Sequence, residues 1–64
     1  MEEELTALFN DIVVHIELSM SEGLWVATRL DNLPYVITKA SVKGVVEEAL
    51  TDKGYIILER KKIQ

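Results

Sequence analysis

The sequence predicts an α+β fold: a short N-terminal helix, a three-stranded antiparallel meander, a second helix and a fourth strand (αβββαβ), with the helices on one face of a four-stranded sheet. Three observations predict it. From Ile12 to Met20 the apolar residues alternate without a break, with Ile12, Val14, Ile16, Leu18 and Met20 on one side and Val13, His15, Glu17 and Ser19 on the other. Strict alternation of this kind marks a strand with one buried face. Val42, Val45, Val46, Ala49 and Leu50 recur at the spacing of an amphipathic helix. Turn chemistry separates the periodic segments: Ser21-Glu22-Gly23, and Asp31-Asn32 ahead of Pro34.

The elements follow in order. Leu5, Leu8, Phe9 and Ile12 fall at i, i+3, i+4 and i+7, which predicts a short helix over Glu2 to Asn10, with Glu2, Glu3 and Glu4 at the end where the helix dipole favours negative charge. Such a two-turn helix is marginal unless it docks. Ile12 to Met20 is the first strand and Leu24 to Leu30 the second, with Leu24, Val26, Thr28 and Leu30 on one face and Trp25, Ala27 and Arg29 on the other. Pro34 keeps Leu33 extended, and Tyr35 to Lys39 is the third strand. Ser41 is the expected N-cap of the second helix, and Gly54 fits its left-handed C′ position. Tyr55 to Leu58 is the last strand, and Glu59-Arg60-Lys61-Lys62 is its polar end or a tail. A right-handed crossover places that strand beside the first, giving the spatial order 3-2-1-4.

Composition narrows the function. The 64 residues allow one domain, spanning 1–64. A core of that size is marginal, which leaves a well-packed core or self-association as a homodimer as the ways to add stability. There is no cysteine and one histidine, so neither a disulfide nor a four-ligand zinc site is expected. The absence of cysteine suits a reducing compartment. Met1-Glu2-Glu3-Glu4 is unlike a secretory leader, and no apolar run is long enough to span a membrane. A cytoplasmic protein without membrane contact is expected. The net charge of −4 is divided unevenly: residues 1–28 carry −6 and residues 29–64 carry +2. Such asymmetry steers basic partners.

Few residues are equipped for chemistry. His15 has only Glu17 near it in sequence as a second donor. Ser41 and Lys43 have the residue types of serine–lysine catalysis, but the serine is better used as a cap and the lysine lies on the solvated helix face. Glu47 and Glu48 point about 100° apart on a helix and are not an acid–base pair. The glycines are dispersed at 23, 44 and 54, so there is no phosphate loop. No catalytic residue, metal or cofactor is expected. Arg60-Lys61-Lys62 is a single basic cluster, better suited to protecting a strand edge than to binding nucleic acid. Trp25 and Tyr35, with Val13, His15 and Glu17, are the expected partner-binding residues. Glu2, Glu3, Glu4, Asp11 and Glu22 form the expected acidic surface.

Several short motifs resemble the HicB-like antitoxin domain. They are Ile16-Glu17, Glu22-Gly23, Leu24-Trp25-Val26-Ala27, Asp31-Asn32-Leu33-Pro34, Val36-Ile37-Thr38 and Val45 to Leu50, within the stretch Val14 to Leu50. Tyr35 stands where that family has a glycine after proline, and Asn32 interrupts its Asp-Leu-Pro run. The resemblance implies a truncated member that sequesters a small basic RNA-cleaving toxin and does not bind promoters. The succession of strand, Ala-Ser, helix, Gly-Tyr and strand is also similar to small phage-encoded proteins that inhibit host machinery.

The expectation is therefore a non-catalytic, acidic protein-binding module that inhibits or sequesters a macromolecular partner. Two alternatives remain: a nucleic-acid mimic that blocks a basic DNA-binding protein, and a small self-assembling structural subunit.

Overall fold

A computed structural model describes residues 2–63. The chain forms β1 (Glu2–Phe9), β2 (Ile12–Ser21), β3 (Leu24–Arg29), β4 (Tyr35–Ala40), α1 (Lys43–Asp52) and β5 (Ile56–Ile63). The five strands make one sheet in the order β4-β3-β2-β1-β5, with every neighbouring pair antiparallel. The single helix covers one face.

The expected N-terminal helix is a strand. β1 lies inside the sheet, hydrogen-bonded to β2 on one side and β5 on the other. Glu3, Leu5, Ala7 and Phe9 point to the helix side, while Glu2, Glu4, Thr6 and Leu8 point away. The helical spacing of Leu5, Leu8, Phe9 and Ile12 is coincidental. A two-turn helix gains little by itself, whereas this segment completes two backbone ladders. Asn10-Asp11 closes the hairpin rather than ending a helix. Both residues are left-handed, at φ 53° and 66°, as a two-residue type I′ turn requires. Glu22 and Gly23, at φ 53° and 79°, close the β2–β3 hairpin in the same way.

This added strand also overturns the four-stranded order 3-2-1-4. The edge of β2 is already taken by β1, so the chain returning from α1 pairs antiparallel with β1 instead of parallel with β2. β5 is longer than expected and includes Glu59 to Lys62. Two bulges bend the sheet, one opposite Ala27/Thr28 in β4 and one opposite Thr6/Ala7 in β5.

The core lies between sheet and helix. Leu5, Ala7, Val14, Ile16, Leu18 and Ala27 from the sheet meet Val46 and Leu50 from α1, and Tyr55 closes one end. The strict alternation of β2 is thus used, although its terminal members Ile12 and Met20 remain exposed beyond the reach of the short helix. Ser41 is not the cap. The N-cap is Val42, with no side-chain cap bond. Gly54 takes the left-handed C′ position at φ 106°, and Tyr55 N–H donates to the Leu50 carbonyl. Among the described residues no helix is long and apolar enough to cross a membrane.

Candidate interaction surface

The sheet has one face under α1 and one face with no helix over it. Cross-strand register defines the open face. Its central rows are Val36–Thr28–Glu17–Glu4–Lys61 and His15–Thr6–Glu59, and a shorter row is Val13–Leu8–Ile56. Val13 and Ile56 are more than half exposed, at 55% and 60%, with the half-buried Leu8 between them. They form a small apolar strip near the β1–β2 turn.

Beside this strip lies a group of carboxylates. Glu4 and Glu17 sit directly opposite each other on β1 and β2. Like charges at such a position destabilise the pair. His15 Nδ1 lies 3.6 Å from Glu4 Oε2, and Lys61 is across the ladder from Glu4. Glu2 and Glu59 add acids from β1 and β5, and Lys39 and Lys61 are lysines on the same face, opposite Val26 and Glu4. No group of three or more His, Cys, Asp or Glu among the described residues is arranged to hold a metal ion. The face offers charge and apolar contact, without a nucleophile–base pair.

The structure separates the expected partner-binding residues. Val13, His15 and Glu17 share the open face. Trp25 does not: it is paired with Met20 and Ala40 on the helix side, half-buried, with Lys43 Nζ 5.7 Å from its ring centroid. A face expected from alternation within β3 alone has no sign until its register with β2 is known, and that register places Trp25, Ala27 and Arg29 beside Met20, Leu18 and Ile16. Tyr35 is about half exposed and belongs to a separate cluster at one end of the sheet. There Arg29 donates to the Tyr55 hydroxyl at 3.1 Å and to the Tyr35 hydroxyl at 3.3 Å, and its Nε lies 2.7 Å from Asp31 Oδ2. Its guanidinium also sits 5.3 Å from the Phe9 ring centroid, while Phe9 stacks on Tyr55 at 4.3 Å. The Tyr55 bond and the nearby Asp31 carboxylate hold the Arg29 pKa above its ordinary value. Burial pushes the Tyr55 hydroxyl up, against the opposing effect of Arg29.

The expected acidic surface is also divided. Glu2 and Glu4 are on the open face, and Asp11 and Glu22 lie in turns at opposite ends of β2. Glu3 is not on the surface. It is buried under α1 and paired with Lys43, with its Oε1 unpartnered. Three consecutive glutamates in a strand cannot share a face, so one of them enters the core side. Thr6, Leu8, Glu59, Ile56 and Lys61 were not legible as members of this surface, because the strand that unites them read as a helix. The alternation of Leu5, Ala7 and Phe9 was the available signal, weakened by the small Ala7 and the inward Glu3.

The chain is thus a five-stranded antiparallel sheet with one helix, and it presents a mixed acidic and apolar face. Comparison with known proteins adds no identification: no family model, no curated protein and no solved structure matches it.

Proposed function

We propose that this chain is a non-catalytic protein-binding module that occludes a basic macromolecular partner with the open face of its sheet. The observation that carries the reading is the Glu4–Glu17 pair. Glu4 has His15 and Lys61 beside it, whereas Glu17 has no ion-pair partner among the described residues, and a cation from a partner offsets the repulsion that remains between the two carboxylates. The adjacent strip of Val13, Leu8 and Ile56 supplies apolar contact for the same partner. In the antitoxin-like form of this reading, which the resemblance implies, the partner is a small basic RNA-cleaving protein. In the phage-type form it is a host protein. Glu3 is internal, and Asp11 and Glu22 are far apart. The acids therefore lack the continuous band that a phosphate mimic presents, and recognition is assigned to the open face instead.

The test compares wild type, Glu17→Gln and Val13→Glu as tagged baits in nuclease-treated bacterial lysate. A basic protein should be retained by wild type in stoichiometric amount and lost from both variants. Its retention by wild type should weaken with salt. Glu17→Gln should meanwhile be more stable to urea than wild type by roughly 0.2–1 kcal/mol, since it removes a like-charge pair. A variant that binds less while folding better separates recognition from misfolding. A partner retained equally by all three baits, or none at all, contradicts the proposal.

A further inference from the structure

The two edges of the sheet differ, and the difference bears on a surface separate from the open face. β5 ends one side with Glu59, Arg60, Lys61 and Lys62, and Arg60 is tied to Glu47 of α1 at 2.7 Å. Charged side chains of this kind protect an edge. β4 ends the other side with Tyr35-Val36-Ile37-Thr38-Lys39-Ala40, which carries one charge. Its outward N–H and C=O groups have no strand beyond them among the described residues. The bulge in β4 brings Ile37 onto the core but adds no charge.

The helix extends this edge upward. Val46 faces the core, and Glu47, about 100° around the helix, faces Arg60 of β5. Val45 lies about 100° the other way, so it borders β4. Val42 and Ala49 are on the same flank by helical spacing. Val42 and Val45 are exposed, at 56% and 49%. These two valines continue the uncharged border of the unpaired strand onto the helix. Edge and flank together form a wall whose centre, Thr38, Ala40, Val42 and Val45, is uncharged.

We propose that this wall is the interface of a homodimer, with β4 pairing antiparallel to β4 of a second copy across a two-fold axis and the two helices packing side by side. Charge selects the occupant. Two chains of −4 repel through their carboxylate-bearing surfaces, whereas the centre of this wall apposes no carboxylates. A basic partner is drawn to the open face and finds no complement here. The two-fold also sets the helices antiparallel, which is favourable for their dipoles. Six residues of strand are about 20 Å long, and with a helix stacked about 10 Å above the sheet the two walls bury on the order of 1,000 Å² together, near the lower bound for a specific interface. The product is a continuous ten-stranded sheet that leaves both open faces free.

The test is sedimentation equilibrium from about 10 μM to about 1 mM, a range that brackets the modest affinity expected of an interface this size. Wild type should populate a species of twice the 7.3 kDa chain mass. Val45→Lys should weaken its dimerisation at least tenfold while keeping the circular dichroism spectrum, since lysine is the better helix former. Val13→Lys, on the open face, should leave dimerisation unchanged. Monomer throughout the range overturns the proposal, as does a dimer disrupted by Val13→Lys but not by Val45→Lys, which would place self-association on the open face.

Discussion

Arg29 shows how one side chain can organise the end of a sheet. It lies on the helix side of β3, where an unpaired charge would be costly, and it is instead surrounded by two hydroxyls, a carboxylate and three rings. Tyr55 carries the consequence that can be measured. Its folded-state pKa is raised above the ordinary value of 10.0, chiefly by burial. A raised folded pKa means that the neutral hydroxyl is the form the fold favours. Its contribution to stability is therefore complete below about pH 10 and is lost as pH rises through the folded-state value. Urea unfolding of wild type and Tyr55→Phe should show a stability difference in favour of wild type that is constant from pH 7 to about pH 9 and shrinks above pH 10. A difference that stays flat to pH 11.5 would show that this hydroxyl is not a folded-state group of raised pKa.

At the scale of elements, the β1–β2 hairpin decides the architecture, and its turn is its weakest link. Asn10 tolerates the left-handed conformation, but Asp11 at φ 66° occupies a position where glycine is strongly favoured. Asp11→Gly should therefore stabilise the protein by about 0.5 kcal/mol, read as a shift in the urea midpoint with unchanged slope, while Asp11→Val should destabilise it. If β1 were a helix ended by Asn10-Asp11, neither change would shift the urea midpoint by more than a few tenths of a kcal/mol. The sequence made β2, β3, β4 and α1 legible because their periodicities are unmixed and their turns are marked by Gly23 and Pro34. It did not make β1 legible. Glu3 faces inward to meet Lys43, Ala7 is too small to mark a buried position, and outward Leu8 completes a false helical stripe. The interaction surface inherited that ambiguity. Val13, His15 and Glu17 could be placed together from β2 alone, whereas Glu4, Thr6 and Leu8 could join them only once β1 was known to be their neighbour. The face of Trp25 is ambiguous in the sequence for a related reason, since alternation gives two faces but only register says which one is covered.

For the whole molecule, β1 is the centre of stability rather than an appendage. Inserted between β2 and β5, it holds Leu5 and Ala7 fully buried, and Leu5 is among the largest wholly buried side chains. A helix docked on the outside would place Leu5 at a periphery, where truncation costs little. In this sheet, Leu5→Ala removes three methylene-sized groups from the middle of the core between sheet and helix, at a cost of about 2–5 kcal/mol. The core of a domain this small supplies only about 3–5 kcal/mol in all. The mutation should therefore leave a large unfolded fraction at 25 °C, visible as a shallow urea transition that begins without a native baseline. Val36→Ala, at a half-exposed position on the β4 edge, should retain that baseline. Equal, mild effects from the two substitutions would indicate that β1 does not hold the two halves of the sheet together. The expected inequality follows from topology. Loss of an edge strand shortens a sheet, but loss of β1 removes the strand that joins β5 to the β2–β3–β4 meander and leaves β5 held only by α1, through the following chain and the Arg60–Glu47 pair.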